Sequence, residues 1–437
     1  MTAEVAVLNK LAVALAADSK VTIGRGAGGK TYDTVNKLFR LSKLEPVGIM
    51  IYGNAEFMGF PWETIIKQYR ARLGARSMAT VREYAEDFLE FTGNVLPISA
   101  TDCLDYIRFL WRLEIQSIEN EIQNDFLEKL RNDEKIDMIS IVREITANYA
   151  GYFDSTPVID SFEIYSSDNF EKRYGYQIEK CIQENLNQDV DDQSYSAIRH
   201  GLLQFTGRQA FSSLQSGLVV AGFGRDEFFP SLHHYRIDGK LSEGIRLISE
   251  HDIDTGRSDH VGEILPLAQT DMVNRFVNGI DDSIRERLRG IFRTELLDLA
   301  KSILVANSAP QDEDSIARAA ERASEAIAQH LDKAMHKARQ FENENFAGPM
   351  KSMVGLLPKE ELANLAESLV NLTSLQRRVS WETESVGGPV DVAVISKGDG
   401  FIWIRRKHYF DAALNPTFNT TYLRDTMSKT GEESDEH

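Results

Sequence analysis

The sequence predicts an α+β fold, because segments typical of strands occur in three clusters separated by long helical stretches. The strand clusters lie near the start, the middle and the end of the chain, at 5–52, 217–237 and 390–404. Between them, apolar residues recur at spacings of three and four, the pattern of amphipathic helices. One α+β domain interrupted by two helical insertions explains this order better than a series of separate domains.

The composition is that of an ordinary globular protein. Its 437 residues, 42% apolar and 27% charged, are enough for two or three domains or for one core with long insertions. A net charge of −18 argues against nucleic acid and anionic membrane as partners. Cys103 and Cys181 are the only cysteines and have no metal-ligand spacing, which favours a reduced, cytoplasmic compartment. No stretch approaches the roughly 20 apolar residues of a membrane span.

In the first cluster, two strands are predicted on either side of a turn at Asn9-Lys10. The glycine-rich segment Lys20–Lys30 is predicted to be a loop. The predicted strand Val47–Tyr52 is too apolar to face water on either side. The four predicted strands are Val5–Val7, Leu11–Ala17, Leu38–Leu41 and Val47–Tyr52.

Helical periodicity dominates much of the remaining chain. The predicted helices and helical blocks are Pro61–Leu73, Val81–Phe91, a first insertion at 95–207, a second insertion at 271–349, and Lys359–Leu375. Strands return at Gly217–Gly222, at Leu232–Ile237 before a predicted turn at Asp238-Gly239, and in a hairpin formed by Val390–Ile395 and Phe401–Ile404. Segments 1–94, 208–270 and 350–410 together form the predicted core. A C-terminal extension, 411–437, ends in an acidic stretch predicted to be disordered.

Thr2 becomes the first residue if Met1 is removed, and it then carries a hydroxyl nucleophile and a free α-amine. The amine, with an ordinary pKa of about 8, can accept the hydroxyl proton. Such a nucleophile needs a nearby cation, a carboxylate to hold that cation, and backbone donors for the oxyanion. Lys37, Asp18 and the N–H of Gly53 are candidates for these roles. Glycine suits the last role because no Cβ blocks a substrate carbonyl.

These residues lie in segments that resemble proteasome β-type subunits and their bacterial proteasome-like relatives, which are N-terminal nucleophile (Ntn) hydrolases. The resemblance covers about half the chain in the correct order. Its segments are Thr2, Ala17–Lys20, Val35–Arg40, Ile51–Gly53, Gly217–Gly222, Pro230–Leu232, Tyr235–Lys240, Gly387–Ile395 and Asp399–Phe401.

The resemblance implies a four-layer αββα sandwich, here enlarged by the two helical insertions. It implies a threonine-type peptidase in which Thr2 is the nucleophile and its amine the general base. Lys37 would activate the hydroxyl, Asp18 would hold Lys37, and Gly53 would donate to the oxyanion. The implied partners are a peptide or unfolded-protein substrate, further copies of the chain in a homo-oligomer or ring, and an ATP-dependent unfoldase. Because a fold does not fix a substrate, a small-molecule amide remains an alternative.

Two positions depart from the family pattern. The family has a serine before the mid-chain glycine of the Gly217 strand, where this sequence has Gln215, with Ser213 and Ser216 nearby. Before the late Gly-Gly pair, the family has an aspartate and a serine that support the threonine amine. Thr383 and Val386 occupy those positions here, so a catalytically inactive proteasome-like scaffold is an alternative function.

A P-loop is the other alternative, because Gly24–Thr31 satisfies the pattern GxxxxGK[ST]. The residues after Lys30 are poor helix formers, which favours a simple loop instead. The candidate metal ligands are His233-His234 and the acidic group Asp252, Asp254, Asp259 and His260. Neighbouring residues on a strand point to opposite faces, and a solvated loop explains the acidic group. The sequence therefore predicts neither a metal nor a cofactor.

Overall fold

The structure is a computed structural model of the chain. The residues it describes are 3–23, 30–132, 137–159, 162, 167–187, 190–257, 262–307, 313–380, 386–408, 410–411 and 414–415. Thr2, the glycines of the candidate P-loop, Asp259, His260, Thr383 and the acidic C-terminal end lie outside the described residues.

Strands and helices occur in the predicted mixture. The strands are β1 (Ala3–Asn9), β2 (Val13–Ala17), β3 (Val21–Ile23), β4 (Lys30–Tyr32), β5 (Leu38–Arg40), β6 (Val47–Gly53), β7 (Glu56–Phe57), β8 (Phe60–Pro61), β9 (Ser216–Gly222), β10 (Ser231–Leu241), β11 (Gly244–Asp254), β12 (Gly262–Ala268), β13 (Asp391–Ser396) and β14 (Gly400–Arg405). The helices are α1 (Trp62–Leu73), α2 (Val81–Asn94), α3 (Ala100–Arg131), α4 (Met138–Asp154), α5 (Ser167–Asn185), α6 (Asp192–Gly207), α7 (Asp271–Asn278), α8 (Asp282–Asn307), α9 (Glu313–Glu342), α10 (Gly348–Val354) and α11 (Lys359–Val379). Mixed α/β structure with antiparallel sheets is thereby confirmed.

The chain divides into two compact units, each built from separate segments. The first unit comprises Met1–Leu38, Phe228–Pro230 and Asp254–His437, and the second comprises Phe39–Glu227 and Ser231–Ile253. The predicted domain boundaries at 94, 207, 270, 349 and 410 stay predictions.

The first unit is organised around a sheet of order β12-β1-β2-β13-β14, in which neighbouring strands run antiparallel. Helix α11 covers one face, burying residues such as Leu362, Ala366 and Val370 at helical spacing against β1, β2 and β13. The β2 side chains in this core are alanines, Ala14 and Ala16, and their small volume allows the helix to approach closely. Strand β2 is therefore the buried central strand of this sheet, and pairing with β1 and β13 fixes the position of its carboxyl end.

The second unit is organised around a sheet of order β11-β10-β9-β6-β5. Strands β6 and β10 both pair antiparallel with β9. Aromatic residues of α1 and α2 form a cluster in the hydrophobic core that the two helices share with this sheet. They are Trp62, Tyr69, Phe88 and Phe91. Helices α3 to α6 bury a further core of their own, which includes Trp111, Ile115 and Phe205.

The predicted loop Lys20–Lys30 is wrong at both ends. Val21–Ile23 and Lys30–Tyr32 form the antiparallel hairpin of β3 and β4, with Ile23 opposite Lys30. The glycines between them obscured the strand propensity of the Val-Thr-Ile sequence, which is β-branched throughout.

The predicted turn at Asp238-Gly239 is also wrong, because β10 continues through it to Leu241. The Asp238 carboxylate is fully buried and accepts hydrogen bonds from Ser212 and from Arg246, itself 0% exposed. This buried ion pair holds an aspartate inside a strand, where local propensity disfavours it.

The sequence does not predict strands β11 and β12. Asp252 and Asp254, predicted to lie in a loop, are on β11.

The N-terminus of α3 provides a test of the helical insertion. The Ser99 side chain accepts from the N–H of Asp102, and the Asp102 side chain accepts from the N–H of Ser99. Because this capping box satisfies donors that the helix itself cannot, we expect Ser99→Ala to lower the free energy of unfolding by about 1 kcal/mol. Chemical denaturation measures it. Ser117→Ala, at an exposed mid-helix position, is the control and should leave stability unchanged or slightly raised; equal losses in both variants would contradict the assignment.

Candidate active site

The candidate site lies at one end of the sheet of the first unit. Because β1, β2 and β13 alternate in direction, the start of β1, the end of β2 and the start of β13 meet there. Ala17 is opposite both Glu4 and Asp391 in the register of these strands. The amino end of β1 therefore lies beside buried acidic residues.

Asp18 follows β2 directly and is fully buried. One carboxylate oxygen, Oδ1, accepts the N–H of Ala3 at 3.1 Å and the Lys37 Nζ at 2.5 Å. The other, Oδ2, accepts the N–H of Gly387 at 3.0 Å. Three donors from three distant parts of the sequence satisfy the charge of this carboxylate, as a buried anion requires.

Lys37 precedes β5 and is 4% exposed. Its ammonium donates to Asp18 Oδ1 and to the carbonyl of Lys20 at 2.8 Å. An ammonium carries three N–H donors, so these two acceptors leave one for a further group. The structure thus brings Lys37 and Asp18 together, and it ties both to the residue that follows Thr2.

The late Gly-Gly pair, Gly387-Gly388, lies beside Asp18. Gly387 accepts the N–H of Ser19 at 3.3 Å, in addition to its own donation to Asp18. Gly388 has a φ of +76°, and a Cβ there would lie 3.0 Å from the Cβ of Asp33. Ser19 donates its hydroxyl to the carbonyl of Pro389. These contacts fix the backbone on both sides of the ion pair.

Two residues before the Gly-Gly pair depart from the family pattern. Val386 is a buried core residue, whereas Thr383 lies outside the described residues.

Gly53 lies in the second unit, at the exposed end of β6. Its φ of +79° and the Gln215 carbonyl, 2.5 Å from where a Cβ would stand, both require glycine. The neighbouring Ser216 hydroxyl accepts from Trp62 Nε1 and donates to the carbonyl of Asn54, each at 2.9 Å. These contacts hold the backbone around Gly53 in place. The convergence of Gly53 with Asp18 and Lys37 stays a prediction.

Glu4 is a candidate that sequence reasoning missed. It is 1% exposed, and neither of its carboxylate oxygens has a hydrogen-bond partner. On the same sheet face, Asp391 pairs with Lys407 Nζ at 2.5 Å and also accepts the Lys407 backbone N–H. Glu4 therefore carries a fully buried carboxyl group in a region that contains two buried ion pairs.

Burial raises the pKa of Glu4 well above its usual value, while the positive charge of Lys37 opposes the rise and Asp18 adds to it. A neutral carboxylic acid at this place avoids the cost of burying a third negative charge. A signal was available in the sequence, because Glu4 interrupts a run that is otherwise apolar from Ala3 to Leu8.

The alternative sites receive no comparable support. A P-loop lysine opens a helix, whereas Lys30 opens strand β4. His233 contacts Asp252 at 2.7 Å, and His234 instead contacts Tyr52 at 2.7 Å and His251 at 3.0 Å, so the two histidines have separate partners. Within the described ranges, no group of three or more histidine, cysteine or acidic residues could hold a metal ion. Nor is any helix of that part of the chain long and apolar enough to cross a membrane.

Two solved structures resemble this chain weakly. One is the Anbu (Gly-1) mutant from Hyphomicrobium sp. strain MC1, with a TM-score of 0.26, 10% identity and coverage of 99% of both chains. The other is the helical assembly of the Anbu complex from Pseudomonas aeruginosa, with a TM-score of 0.25, 10% identity and coverage of 97% of this chain and 96% of that one. No protein-family profile and no curated protein matches the chain.

A double-mutant cycle tests the ion pair at the centre of the site. Asp18→Asn leaves the Lys37 ammonium buried without its counterion, and Lys37→Met leaves Asp18 short of a cation. We expect each single change to lower the free energy of unfolding by about 3–5 kcal/mol, and the double variant to lose clearly less than the sum. Chemical denaturation gives all three values. Strict additivity would contradict direct coupling between the two groups.

A second test uses the pH dependence of Glu4. With a folded-state pKa raised above the unfolded value, the wild type loses stability as pH rises from about 4.5 towards the folded pKa, by up to about 1.4 kcal/mol per pH unit. Glu4→Gln has no proton to lose. The stability of this variant relative to the wild type should therefore rise with pH across that window.

Urea denaturation at a series of pH values measures this difference. Glu360→Gln, at an exposed position on α11, is the matched control and should run parallel to the wild type. If Glu4→Gln also ran parallel, Glu4 would titrate normally and its buried neutral state would be excluded.

Proposed function

We propose that this chain is a proteasome-like threonine hydrolase that cleaves amide bonds with Thr2 as its N-terminal nucleophile after removal of Met1. One observation carries the proposal: the same Asp18 oxygen accepts both the Lys37 ammonium and the N–H of Ala3. Thr2 is joined to Ala3 by a single peptide bond. A lysine, a carboxylate and an amino-terminal hydroxyl residue are the three groups that such a nucleophile needs.

In the proposed reaction the Thr2 hydroxyl attacks the carbonyl carbon of the substrate amide. The hydroxyl proton passes to the α-amine of Thr2, directly or through a water. When the carbon–nitrogen bond breaks, the protonated amine returns that proton to the leaving nitrogen. Water then attacks the resulting ester and gives a proton to the amine. When the ester carbon–oxygen bond breaks, the amine returns this proton to the Thr2 oxygen, so the carboxylic acid product leaves and Thr2 is restored.

Lys37 has an electrostatic role in this mechanism. Its ammonium is held by Asp18 and by the Lys20 carbonyl. In the proposed mechanism its third N–H donates to the Thr2 oxygen. A buried positive charge beside that oxygen favours the alkoxide-like state that attacks the substrate. Because Lys37 is almost fully buried, water screens this effect only slightly.

The remaining parts of the proposal depend on the sequence resemblance. They are the four-layer αββα arrangement, Gly53 as oxyanion donor, a peptide or unfolded-protein substrate, a homo-oligomer, a cytoplasmic location, and an ATP-dependent unfoldase as partner. Gly53 is supported in this role by its position at the exposed end of β6 and by the neighbouring contacts that hold its backbone in place.

Intact-mass spectrometry with a β-lactone probe tests the proposed chemistry. We expect the purified protein to lack Met1 and to gain one probe adduct, which peptide mapping places on Thr2. Thr2→Ala should abolish labelling, and Lys37→Met should slow it by at least about a hundredfold, because the nucleophile loses its activating charge.

Lys351→Met is the matched control for the lysine change. Lys351 forms a partly exposed ion pair with Glu263 in the same unit, so its removal deletes a charge away from Thr2. This variant should label at the wild-type rate. Retention of Met1 in a folded protein, or labelling that survives Thr2→Ala, would refute the proposed nucleophile.

A further inference from the structure

Helix α8 carries a continuous apolar stripe that faces solvent. The large apolar side chains of this stripe are between 39% and 55% exposed. At 1.5 Å per residue, it runs for about 29 Å along the helix. An exposed apolar patch of this extent is typical of an interaction surface. Its members are Ile284, Leu288, Ile291, Phe292, Leu296, Leu299 and Ile303.

Helix α8 packs against α9 beside the stripe. Arg285, which is buried at the margin of the stripe's arc, pairs with Glu342 at the end of α9, and Arg289, just outside that arc, pairs with Asp332 of α9. At 100° per residue, the stripe residues span roughly 140° of the helix, so they form one face. Packing of α8 against α9 therefore leaves this face uncovered.

Six of the seven stripe residues have the same spacing in both directions along the helix, and Phe292 is the exception. Ile284 and Ile303, Leu288 and Leu299, and Ile291 and Leu296 are three pairs, each symmetric about the midpoint between 293 and 294. Two identical surfaces that meet about a two-fold axis must be self-complementary in this way. An antiparallel pair of α8 helices would place each member of a pair opposite its counterpart.

The charges on α8 favour the same arrangement. Arg287, Arg289 and Arg293 precede the midpoint, whereas Glu295 and Asp298 follow it. Asp282, Glu286 and Lys301 are the exceptions, and they pair within the helix with Arg285, Arg289 and Asp298. With every charge counted, the first half of α8 keeps a net charge of +2 (four arginines less two acids), and the second half keeps −1 (two acids less one lysine). In an antiparallel pair, the basic half of one helix faces the acidic half of the other, and a parallel pair would place like charges together.

We propose that the α8 stripe is the surface through which two copies of this chain associate, with their α8 helices antiparallel about a two-fold axis. This contact does not depend on the chemistry of Thr2, because α8 contributes no residue to the candidate active site.

Sedimentation analysis of Leu288→Gln/Leu299→Gln tests the surface. Both leucines are already exposed, so the variant should fold, and circular dichroism should match the wild type. We expect the dissociation constant between copies to rise about a hundredfold or more. Thr294→Gln/Lys301→Gln places the same side chains at exposed positions outside the stripe and should leave association unchanged.

Mixed cysteine variants test the orientation. The native Cys103 and Cys181 are buried and should not react. Leu288→Cys mixed with Leu299→Cys should cross-link between copies under mild oxidation, whereas either variant alone should not, because its two thiols would lie about 16 Å apart along the helices.

A wild-type chain that remains monomeric would overturn the proposal and assign the stripe to a different protein. An assembly whose mass is unchanged in Leu288→Gln/Leu299→Gln would overturn it as well. Cross-linking of Leu288→Cys to itself would exclude the antiparallel arrangement.

Discussion

The buried ion pair between Asp18 and Lys37 is the interaction on which the candidate site depends. Asp18 follows the central strand of its sheet, and its two oxygens collect a backbone donor from β1, a side chain from before β5 and a backbone donor from before β13. Such a carboxylate is stable only when all its donors are present, because an unpaired buried charge is costly. The amino-terminal segment, the lysine and the late glycine are therefore fixed relative to one another.

Glu4 adds a second constraint to the same region. A carboxyl group without hydrogen-bond partners lies close enough to this ion pair for both Asp18 and Lys37 to affect its pKa. If Glu4 were ionised, it would compete with Asp18 for the lysine. A neutral Glu4 leaves Asp18 as the single counterion of Lys37. The charge balance around Lys37 thus depends on the protonation of Glu4.

The sequence allowed much of this arrangement to be predicted, and the failures have physical causes. Continuous apolar runs identified β2 and β6, and helical spacing identified α1, α2 and α11. Strand β10 extends beyond its predicted end because Arg246, eight residues after Asp238, neutralises that aspartate inside the sheet. Strand β11 was missed because its outward side chains are charged, and pairing with β10 outweighs their low propensity.

The candidate site shows the same division between local and distant information. Asp18 and Lys37 were predictable from their positions beside strands and from the family resemblance. The part played by Gly387 in holding Asp18 depends on a contact across 369 residues of sequence, which no local pattern reveals. Glu4 was visible as a charge in an apolar run, but only the register of β1, β2 and β13 places it on one face with Asp391.

The most direct test of the account is a crystal structure of the purified protein, determined after its amino terminus has been sequenced. The account predicts a chain that begins at Thr2, with the Lys37 Nζ within hydrogen-bond distance, about 3 Å, of the Thr2 hydroxyl oxygen. A retained Met1, or a first residue directed away from Lys37 into solvent, would contradict it.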